Sequence, residues 1–208
     1  MITEHPEKTV YLVDDDFAVR DSLTLLIESS GISVKSFDSA QAFLDNYKEE
    51  QISCLLLDFL MPSMNGLDLQ QELKIRDIDI PIIFISGHGN IPISSKAFRN
   101  GAVDFLEKPL DDKILLERIN QTLKQVQFNW KKKHHHHEVQ ELYAHLTVRE
   151  KEVMKLIAKS HSNKEAARIL DISNRTIDIH RAHVMEKMKS ESLADLIIKA
   201  VICGIVKF

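Results

Sequence analysis

The stretch that decides the fold is residues 54–66, which have the sequence Cys-Leu-Leu-Leu-Asp-Phe-Leu-Met-Pro-Ser-Met-Asn-Gly. Its apolar run is too short for a helix and is typical of a strand buried on both faces. The run stops at Asp58, and the Pro and Asn-Gly that follow indicate a turn. Because ligands collect at the carboxyl ends of strands in open parallel sheets, Asp58 is a candidate site residue, although an Asp at this position often only caps the next turn.

Further strand-like stretches recur along the first part of the chain, with helical patterns between them. They lie at residues 10–13, 34–37, 81–85 and 103–106. Strands that alternate with helices form right-handed βαβ units. The sequence therefore predicts an α/β domain with a five-stranded parallel sheet and helices on both faces.

Polar residues stand where these strands end. Asp14 and Asp15 follow the first strand, Asp58 the third, Ser86 the fourth and Lys108 the fifth, so all five side chains are expected along one edge of the sheet. Three carboxylates packed together raise one another's pKa unless a cation lies between them. Oxygen ligands favour a hard ion such as Mg²⁺, which readily shares a phosphate. A hydroxyl and an ammonium at the same edge would supply the donor and the counter-charge that a phosphoryl group needs.

Charge is distributed unevenly along the chain. The 208 residues carry a formal net charge of −4, but residues 1–120 hold 11 Lys and Arg against 21 Asp and Glu, whereas residues 121–208 hold 16 against 10. An acidic first part and a basic second part predict two domains with different partners. A polyanion is a candidate partner of the second domain.

The composition is that of a soluble globular chain, with 44% hydrophobic and 28% charged residues. The apolar stretch 196–206 is short and is interrupted by Lys199, so we expect no membrane span. The polar start does not resemble a secretory signal, and we therefore expect a cytoplasmic protein. Cys54 and Cys203 both lie in apolar runs, which predicts buried free thiols rather than a disulfide.

The C-terminal part of the chain carries only helical signals. Capping boxes begin at Thr147 and Ser162, and Ser173 and Ser192 are further candidates for helix N-caps. Two helices joined by a tight turn at residues 171–173 match the helix-turn-helix arrangement, in which the second helix of the pair lies in the DNA major groove. We therefore predict an all-α domain of four helices that binds DNA.

The helix that follows Ser173 is the candidate recognition helix. Ile177, Val184 and Met188 are predicted to face the core, and the opposite face is of mixed charge. Its cations can reach phosphates, which sets affinity rather than sequence preference. Asp178 can accept a hydrogen bond from a cytosine amino group or serve as an N-terminal acid for the helix dipole, and both interpretations stay open. The candidate DNA-contacting residues are Lys164, Arg175, Thr176, Asp178, Ile179, Arg181 and Lys189.

Four consecutive histidines, His134 to His137, follow a run of three lysines in a long helical pattern. Such a tract can bind a metal or be engineered. We interpret it instead as a solvated part of an interdomain helix, because we see no acid or cysteine nearby to complete a metal site.

Four motifs of the first domain together resemble the receiver domain of two-component response regulators. They are Val-Asp-Asp-Asp at 13–16, Leu-Asp-Phe-Leu-Met-Pro at 57–62, Ser-Gly-His-Gly at 86–89 and Gly-Ala-Val-Asp-Phe-Leu-Glu-Lys-Pro at 101–109. Their order and spacing match along about 120 residues. The resemblance implies a flavodoxin-like, doubly wound receiver domain, which we place at residues 1–122.

The resemblance also implies roles for individual residues. Asp58 would accept a phosphoryl group from a sensor histidine kinase. Ser86 and Lys108 would contact the phosphoryl oxygens, and Phe105 would change rotamer on activation. Lys108-Pro109 is a candidate cis peptide, since cis bonds are common only before proline. The residues implied to hold Mg²⁺ are Asp14, Asp15, Asp58 and Leu60, the last through its main-chain carbonyl.

The second domain is similar to the LuxR-type DNA-binding domain, on residues 146–150, 162–167, 176–180 and 187–188. The whole chain resembles the FixJ/NarL class, with a helical linker at 123–142 and the DNA-binding domain at 143–208. This class implies promoter DNA, a homodimer when phosphorylated and RNA polymerase as partners, with activation of transcription as the expected effect. Ser160 stands where the pattern usually has Gly and could strain or lengthen a helix end, and Ala166 stands where it usually has Ile.

Two other functions compete with this interpretation. A phosphohydrolase of similar architecture could use Asp58 as a nucleophile, but it needs a second acid two residues later, where this chain has Leu60. An adaptor that signals only through protein contacts would have no use for a basic helical domain. We therefore expect a phosphorylation-controlled regulator of transcription that is not an enzyme.

Overall fold

The computed structural model of the chain describes residues 6–50, 52–87 and 91–206, with only the backbone of 91–93. His88 and Gly89 of the predicted motif lie outside the described residues. The chain divides into two compact units, Met1–Trp130 and Lys131–Phe208. The division falls inside the predicted linker at 123–142, and the domain boundaries at 122 and 143 stay predictions. Over the described ranges, no helix is both long and apolar enough to cross a membrane.

The first unit contains the predicted parallel sheet. Its elements are β1 (Lys8–Val13), α1 (Phe17–Ser29), β2 (Ser33–Phe37), α2 (Ala40–Asn46), β3 (Ile52–Asp58), α3 (Gly66–Ile75), β4 (Ile82–Ser86), α4 (Ile91–Arg99), β5 (Asp104–Glu107) and the start of α5 (Asp112–Ala144). All paired strands are parallel, in the order β2-β1-β3-β4-β5. The sequence predicted all five strands. It placed the start of β4 one residue too early, at Pro81. The observed strand begins at Ile82, because proline has no N–H group to donate to the ladder.

Both faces of the sheet are covered, and this explains the continuous apolar runs of its strands. Every residue of β3 is buried. Leu55 and Leu57 belong to a core cluster on one face with Phe43, whereas Leu56 belongs to a second cluster with Ile27 and helix α5. Each fully buried Leu side chain contributes roughly 1.5–3 kcal/mol to stability. The buried strand therefore fixes where Asp58 leaves the core.

The second unit contains the C-terminal part of α5 and the four predicted helices. These are α6 (Val148–Ala158), α7 (Asn163–Leu170), α8 (Asn174–Lys187) and α9 (Leu193–Ile202). The capping boxes of Thr147 and Ser162 and the N-caps of Ser173 and Ser192 all form as predicted. Each such cap contributes about 1 kcal/mol, so local sequence fixes where these helices begin.

Ser160 follows the end of α6 with a φ of 64°. A residue with a Cβ in this left-handed region costs roughly 1–2 kcal/mol relative to the right-handed one. The N–H of Ser160 donates to the carbonyl of Ile157 at 2.9 Å, and the N–H of His161 donates to that of Leu156 at 3.1 Å, which closes the helix. Of the two effects expected from Ser160, the structure shows the strained backbone and not a longer helix.

The two cysteines differ in exposure. Cys54 is fully buried in β3, and burial raises the pKa of its thiol to about 12. Cys203 follows the last turn of α9 and is only half-buried. Both thiols are free, as predicted, and burial is confirmed for Cys54. Burial is wrong for Cys203, which packs against the core cluster of the second unit only from its margin.

Candidate functional site

Lys108 joins the two buried carboxylates at the carboxyl edge of the sheet. Its Nζ lies 2.7 Å from Oδ2 of Asp14 and 2.9 Å from Oδ1 of Asp58. Asp14 directly follows β1 and is 1% exposed, and Asp58 ends β3 and is 4% exposed, whereas a quarter of the Lys108 side chain is exposed. The sequence predicted this convergence from the strand ends alone. The structure confirms it for these three side chains.

Asp15 completes a cluster of three carboxylates. Asp14, Asp15 and Asp58 each offer an oxygen, and these oxygens lie within 4.8 Å of one another. Asp15 is exposed, so an ion can approach from solvent. Asp16 has a different role: its Oδ1 accepts from the N–H groups of Ala18 and Val19 and caps α1. The three oxygen donors of the cluster fit a hard divalent cation such as Mg²⁺.

The electrostatics of the cluster also favour an added cation. Burial raises the pKa of Asp58, the hydrogen bond from Lys108 opposes this effect, and the charges of Asp14 and Asp15 add to it. Burial alone would lower the pKa of Lys108, but its hydrogen bonds to Asp14 and Asp58 outweigh burial and raise it. The side chain of Lys108 is therefore protonated and positively charged at neutral pH. One ammonium nevertheless offsets only part of the charge of three carboxylates.

Three further predicted residues lie around Asp58. The backbone N–H of Leu60 donates to Oδ2 of Asp58 at 3.1 Å. Ser86 is fully buried at the end of β4, where the strand register sets Ile85 opposite Asp58. Phe105 lies opposite Phe84 in β5, and its partly buried ring is 6.1 Å from the Phe84 ring. The Lys108-Pro109 peptide is cis, as predicted.

The sequence reasoning missed two residues that support the site. A Cβ on Gly66 would lie 2.8 Å from the main-chain oxygen of Asp58 and 2.8 Å from Cε1 of Phe84, so only glycine fits behind the acid. The available signal was the Asn-Gly pair, which we interpreted only as a turn. Arg20 donates from Nη1 to the main-chain oxygen of Asp14 at 2.7 Å and so holds the end of β1. Nothing in the local sequence pairs those two residues.

The predicted recognition helix α8 buries one side in the core and exposes the other to solvent, as expected. Ile177, Val184 and Met188 are fully buried. Exposed residues on the outer side of α8 are Arg175, Asp178, Ile179, Ala182 and Glu186, and Lys164 and Lys189 are exposed as well. Thr176 is half-buried, and its hydroxyl lies 2.8 Å from that of Ser173 at the helix N-cap.

Asn163, the first residue of α7, contacts two of the predicted DNA-binding side chains. Its Nδ2 donates to Oδ1 of Asp178, and its Oδ1 accepts from Nη1 of Arg181 at 3.1 Å. The amide therefore positions an acid and a cation on α8 from the neighbouring helix. We missed Asn163 because the sequence showed it only as the residue after a cap.

Two buried charges hold α8 in the unit. Glu150 is 3% exposed, and both of its carboxylate oxygens accept from Nζ of Lys187 at 2.8 Å. Lys199 of α9 donates to the carbonyls of Met188 and Lys189 at 3.0 and 2.9 Å, just past the C-terminus of α8. It also donates to Asp195 at 2.8 Å. A cation at this end of a helix is favoured by the helix dipole.

Comparison with known proteins agrees with both units. Residues 10–120 match the family model of the response regulator receiver domain, and residues 144–200 match that of bacterial regulatory proteins of the luxR family. Among solved structures, response regulator StyR has a TM-score of 0.83 at 37% identity, covering 94% of this chain and 98% of that one. Full-length FixJ from B. japonicum has a TM-score of 0.59 at 37% identity, covering 98% of this chain and 100% of that one.

Relatives match along nearly the whole chain. The response regulator protein TodT of Pseudomonas putida is 43% identical over 188 residues, which are 90% of this chain and 83% of that protein. The transcriptional regulatory protein FixJ of Bradyrhizobium diazoefficiens is 40% identical over 195 residues, 94% and 95% of the two chains. The chain therefore belongs to the FixJ/TodT-like response regulators of two-component systems, which regulate transcription through a receiver domain and a LuxR-type DNA-binding domain.

Proposed function

We propose that Asp58 accepts a phosphoryl group from a sensor histidine kinase and that this modification controls binding to promoter DNA. The observation that carries the proposal is the meeting of Asp14, Asp58 and Lys108 at the sheet edge of a response regulator. In the transfer, the P–N bond of the kinase phosphohistidine breaks and a P–O bond forms on the Asp58 carboxylate. The electron pair of the broken bond stays on the kinase imidazole, which leaves and takes up a proton from water.

Mg²⁺ is the cofactor of this proposal. Asp14, Asp15, Asp58 and the main-chain carbonyl of Leu60 would hold it, and when bound it neutralises phosphoryl charge. Lys108 supplies a second positive charge and contacts a phosphoryl oxygen. Ser86 donates from its hydroxyl to another phosphoryl oxygen. Lys108 must exchange one of its carboxylate partners for the phosphoryl group, and its raised pKa keeps it cationic while it does so.

The phosphoryl group acts as a switch in this proposal. The Ser86 hydroxyl moves toward the phosphoryl oxygens, and Phe105 turns into the space that it leaves. This changes the surface formed by α4, β5 and the first turns of α5. We propose that two phosphorylated chains dimerise through that surface and activate transcription at a promoter, with RNA polymerase as a further partner. Two linked DNA-binding domains then engage two half-sites, which raises apparent affinity through effective concentration.

The DNA contacts of α7 and α8 are expected to fall into two groups. Lys164, Arg175 and Arg181 contact phosphates, so Lys164→Ala should weaken binding to all sequences alike and lower the salt slope by about one unit. Asp178→Asn keeps the shape of the side chain but adds a donor, and it should change base preference instead. Binding-site selection and salt titration separate the two results. Lys74→Ala, an exposed change on α3 in the first unit and outside the proposed dimer surface, is the matched control. A base-specific effect of Lys164→Ala would reverse this assignment.

The switch is tested by sedimentation and DNA titration with and without beryllofluoride, which mimics a phosphoryl group on Asp58. The untreated chain is expected to be mainly monomeric and to bind a two-half-site operator weakly. The treated chain should dimerise and bind at least about a hundredfold more tightly, which is the lower end of the gain that linking two sites gives.

Asp58→Asn provides the control, because it cannot carry the mimic and should stay monomeric under both conditions. If the mimic changes neither oligomeric state nor DNA affinity in the wild type, regulation does not run through dimerisation and the switch proposal is wrong.

A further inference from the structure

Two of the four consecutive histidines in helix α5 are paired with glutamates one turn later. Nε2 of His134 lies 3.4 Å from Oε1 of Glu138, and Nε2 of His137 lies 3.2 Å from Oε1 of Glu141. The sequence-based expectation that no acid lies near the tract is therefore wrong. It overlooked that residues four apart in sequence are neighbours on a helix.

The two pairs share one face of the helix. At 3.6 residues per turn, positions 134, 137, 138 and 141 lie in one stripe, whereas His135 and His136 lie outside it. His136 contacts Gln140 instead, at 2.9 Å between Nε2 and Nε2. The stripe therefore combines two imidazoles and two carboxylates, while the other two histidines of the tract have no place in it. The spacing alone fixes this arrangement, whatever rotamers the side chains adopt.

In each pair, the distance between the His nitrogen and the Glu oxygen suits a metal ion bound by both atoms. Zn²⁺ binds His nitrogen and carboxylate oxygen at about 2.0–2.2 Å, and at a tetrahedral angle two such bonds put the ligand atoms roughly 3.4 Å apart. The observed separations are 3.4 and 3.2 Å. The side chains of Glu138, His137 and Glu141 are more than half exposed, so an ion can reach them from solvent.

We propose that each of these two His–Glu pairs binds a divalent transition-metal ion of the Zn²⁺ class, with water in the remaining coordination positions. Imidazole with carboxylate suits Zn²⁺, Cu²⁺ or Ni²⁺, whereas Mg²⁺ prefers oxygen ligands. These sites therefore differ in metal class from the three-carboxylate cluster of the receiver domain.

Metal binding at these pairs stabilises the helix. Both ligands of a pair reach the ion only when the intervening turn is helical, so the ion binds the folded turn and not the frayed one. The segment 134–141 lies just after the division between the two units. The ion would therefore stiffen the part of α5 that begins the second unit.

The proposal is tested by titrating the full chain with ZnCl₂ in excess Mg²⁺, which occupies the carboxylate cluster, against a chromophoric chelator that reports free Zn²⁺. The double variant His134→Ala/His137→Ala is expected to bind Zn²⁺ at least about tenfold more weakly, since even residues that only orient metal ligands contribute 10–100-fold. Glu138→Gln/Glu141→Gln should weaken binding as well. The control His135→Ala/His136→Ala also removes two histidines, but both lie outside the stripe. It should therefore bind Zn²⁺ as the wild type does.

Amide hydrogen exchange of the peptide spanning 131–144 gives a second readout. Zn²⁺ should slow exchange there in the wild type and in His135→Ala/His136→Ala, but not in His134→Ala/His137→Ala. Equal loss of affinity in the two histidine variants would mean an undirected histidine tract and would overturn the proposal. Wild-type affinity in the glutamate variant, or no Zn²⁺ uptake by the wild type, would overturn it too, because the pairs would then be ion pairs only.

Discussion

Treated with acetyl phosphate and Mg²⁺, the wild-type chain is expected to gain one phosphoryl group, and Asp58→Asn is expected to gain none. The P–O bond to acetate breaks and a new P–O bond forms on the Asp58 carboxylate, for which an amide is no substitute. Burial and the charges of Asp14 and Asp15 raise the pKa of Asp58. A cation bound at the site would therefore stabilise the charged form of this carboxylate. Intact mass spectrometry measures the increment directly.

The neighbouring residues Asp15 and Asp16 supply matched variants for this experiment. Asp15→Asn removes one oxygen of the proposed Mg²⁺ site but leaves Asp58 intact, so labelling should fall and recover partly at higher Mg²⁺. Asp16→Asn changes the neighbouring acid that caps α1. Because Asn is as good an N-cap as Asp, this variant should label as the wild type does. Labelling of Asp58→Asn at the wild-type level would place the phosphoacceptor elsewhere.

Local sequence signals predicted most of the fold and the centre of the site. Strand-like sequence patterns identified the strands, and the site residues Asp58 and Lys108 lie at the end of β3 and just after β5. Parallel pairing then brought those ends to one edge, which is why residues 50 positions apart could be predicted to meet. Capping boxes likewise fixed where α6 and α7 begin, because both partners of a box lie within four residues.

Side-chain contacts between helices could not be predicted in this way. Lys187 meets Glu150 across 37 residues, and Asn163 meets Arg181 across 18. In sequence, Glu150 is fully explained by its capping box, and Lys187 is interpreted as a cation that can reach DNA phosphates. Their pairing depends on how α6 packs against α8, and no periodic pattern contains that information. Arg20 was missed beside Asp14 although only six residues separate them, because their contact joins helix α1 to the end of β1 and no repeating pattern marks it.

Glu150→Gln is expected to destabilise the second unit by about 2 kcal/mol at neutral pH, in the range for hydrogen bonds to charged groups. Glutamine can still accept from the N–H of Thr147 and keep the capping box, so this variant removes the charge facing Lys187 and little else. Burial opposes ionisation of Glu150, but hydrogen bonds from Lys187 and Thr147 outweigh it and lower its pKa to about 2. Urea unfolding of the full chain, followed by hydrogen exchange in peptides of α6 and α8, measures the loss.

The lowered pKa of Glu150 also fixes the sign of the pH dependence. A carboxylate with a depressed pKa in the folded state stabilises that state above its unfolded value near 4.5, and this stabilisation disappears as the pH falls through about 2. The difference in free energy of unfolding between wild type and Glu150→Gln should therefore be constant from pH 7 to about 5 and shrink below that.

Glu152→Gln is the control, because its partly exposed pair with Arg149 should contribute less than about 1 kcal/mol. Lys187→Met should reproduce the loss, and combining it with Glu150→Gln should add little, because both changes break the same pair. No difference at neutral pH, or a difference that does not shrink below pH 5, would mean that the charge pair of Glu150 and Lys187 does not hold α8 against α6.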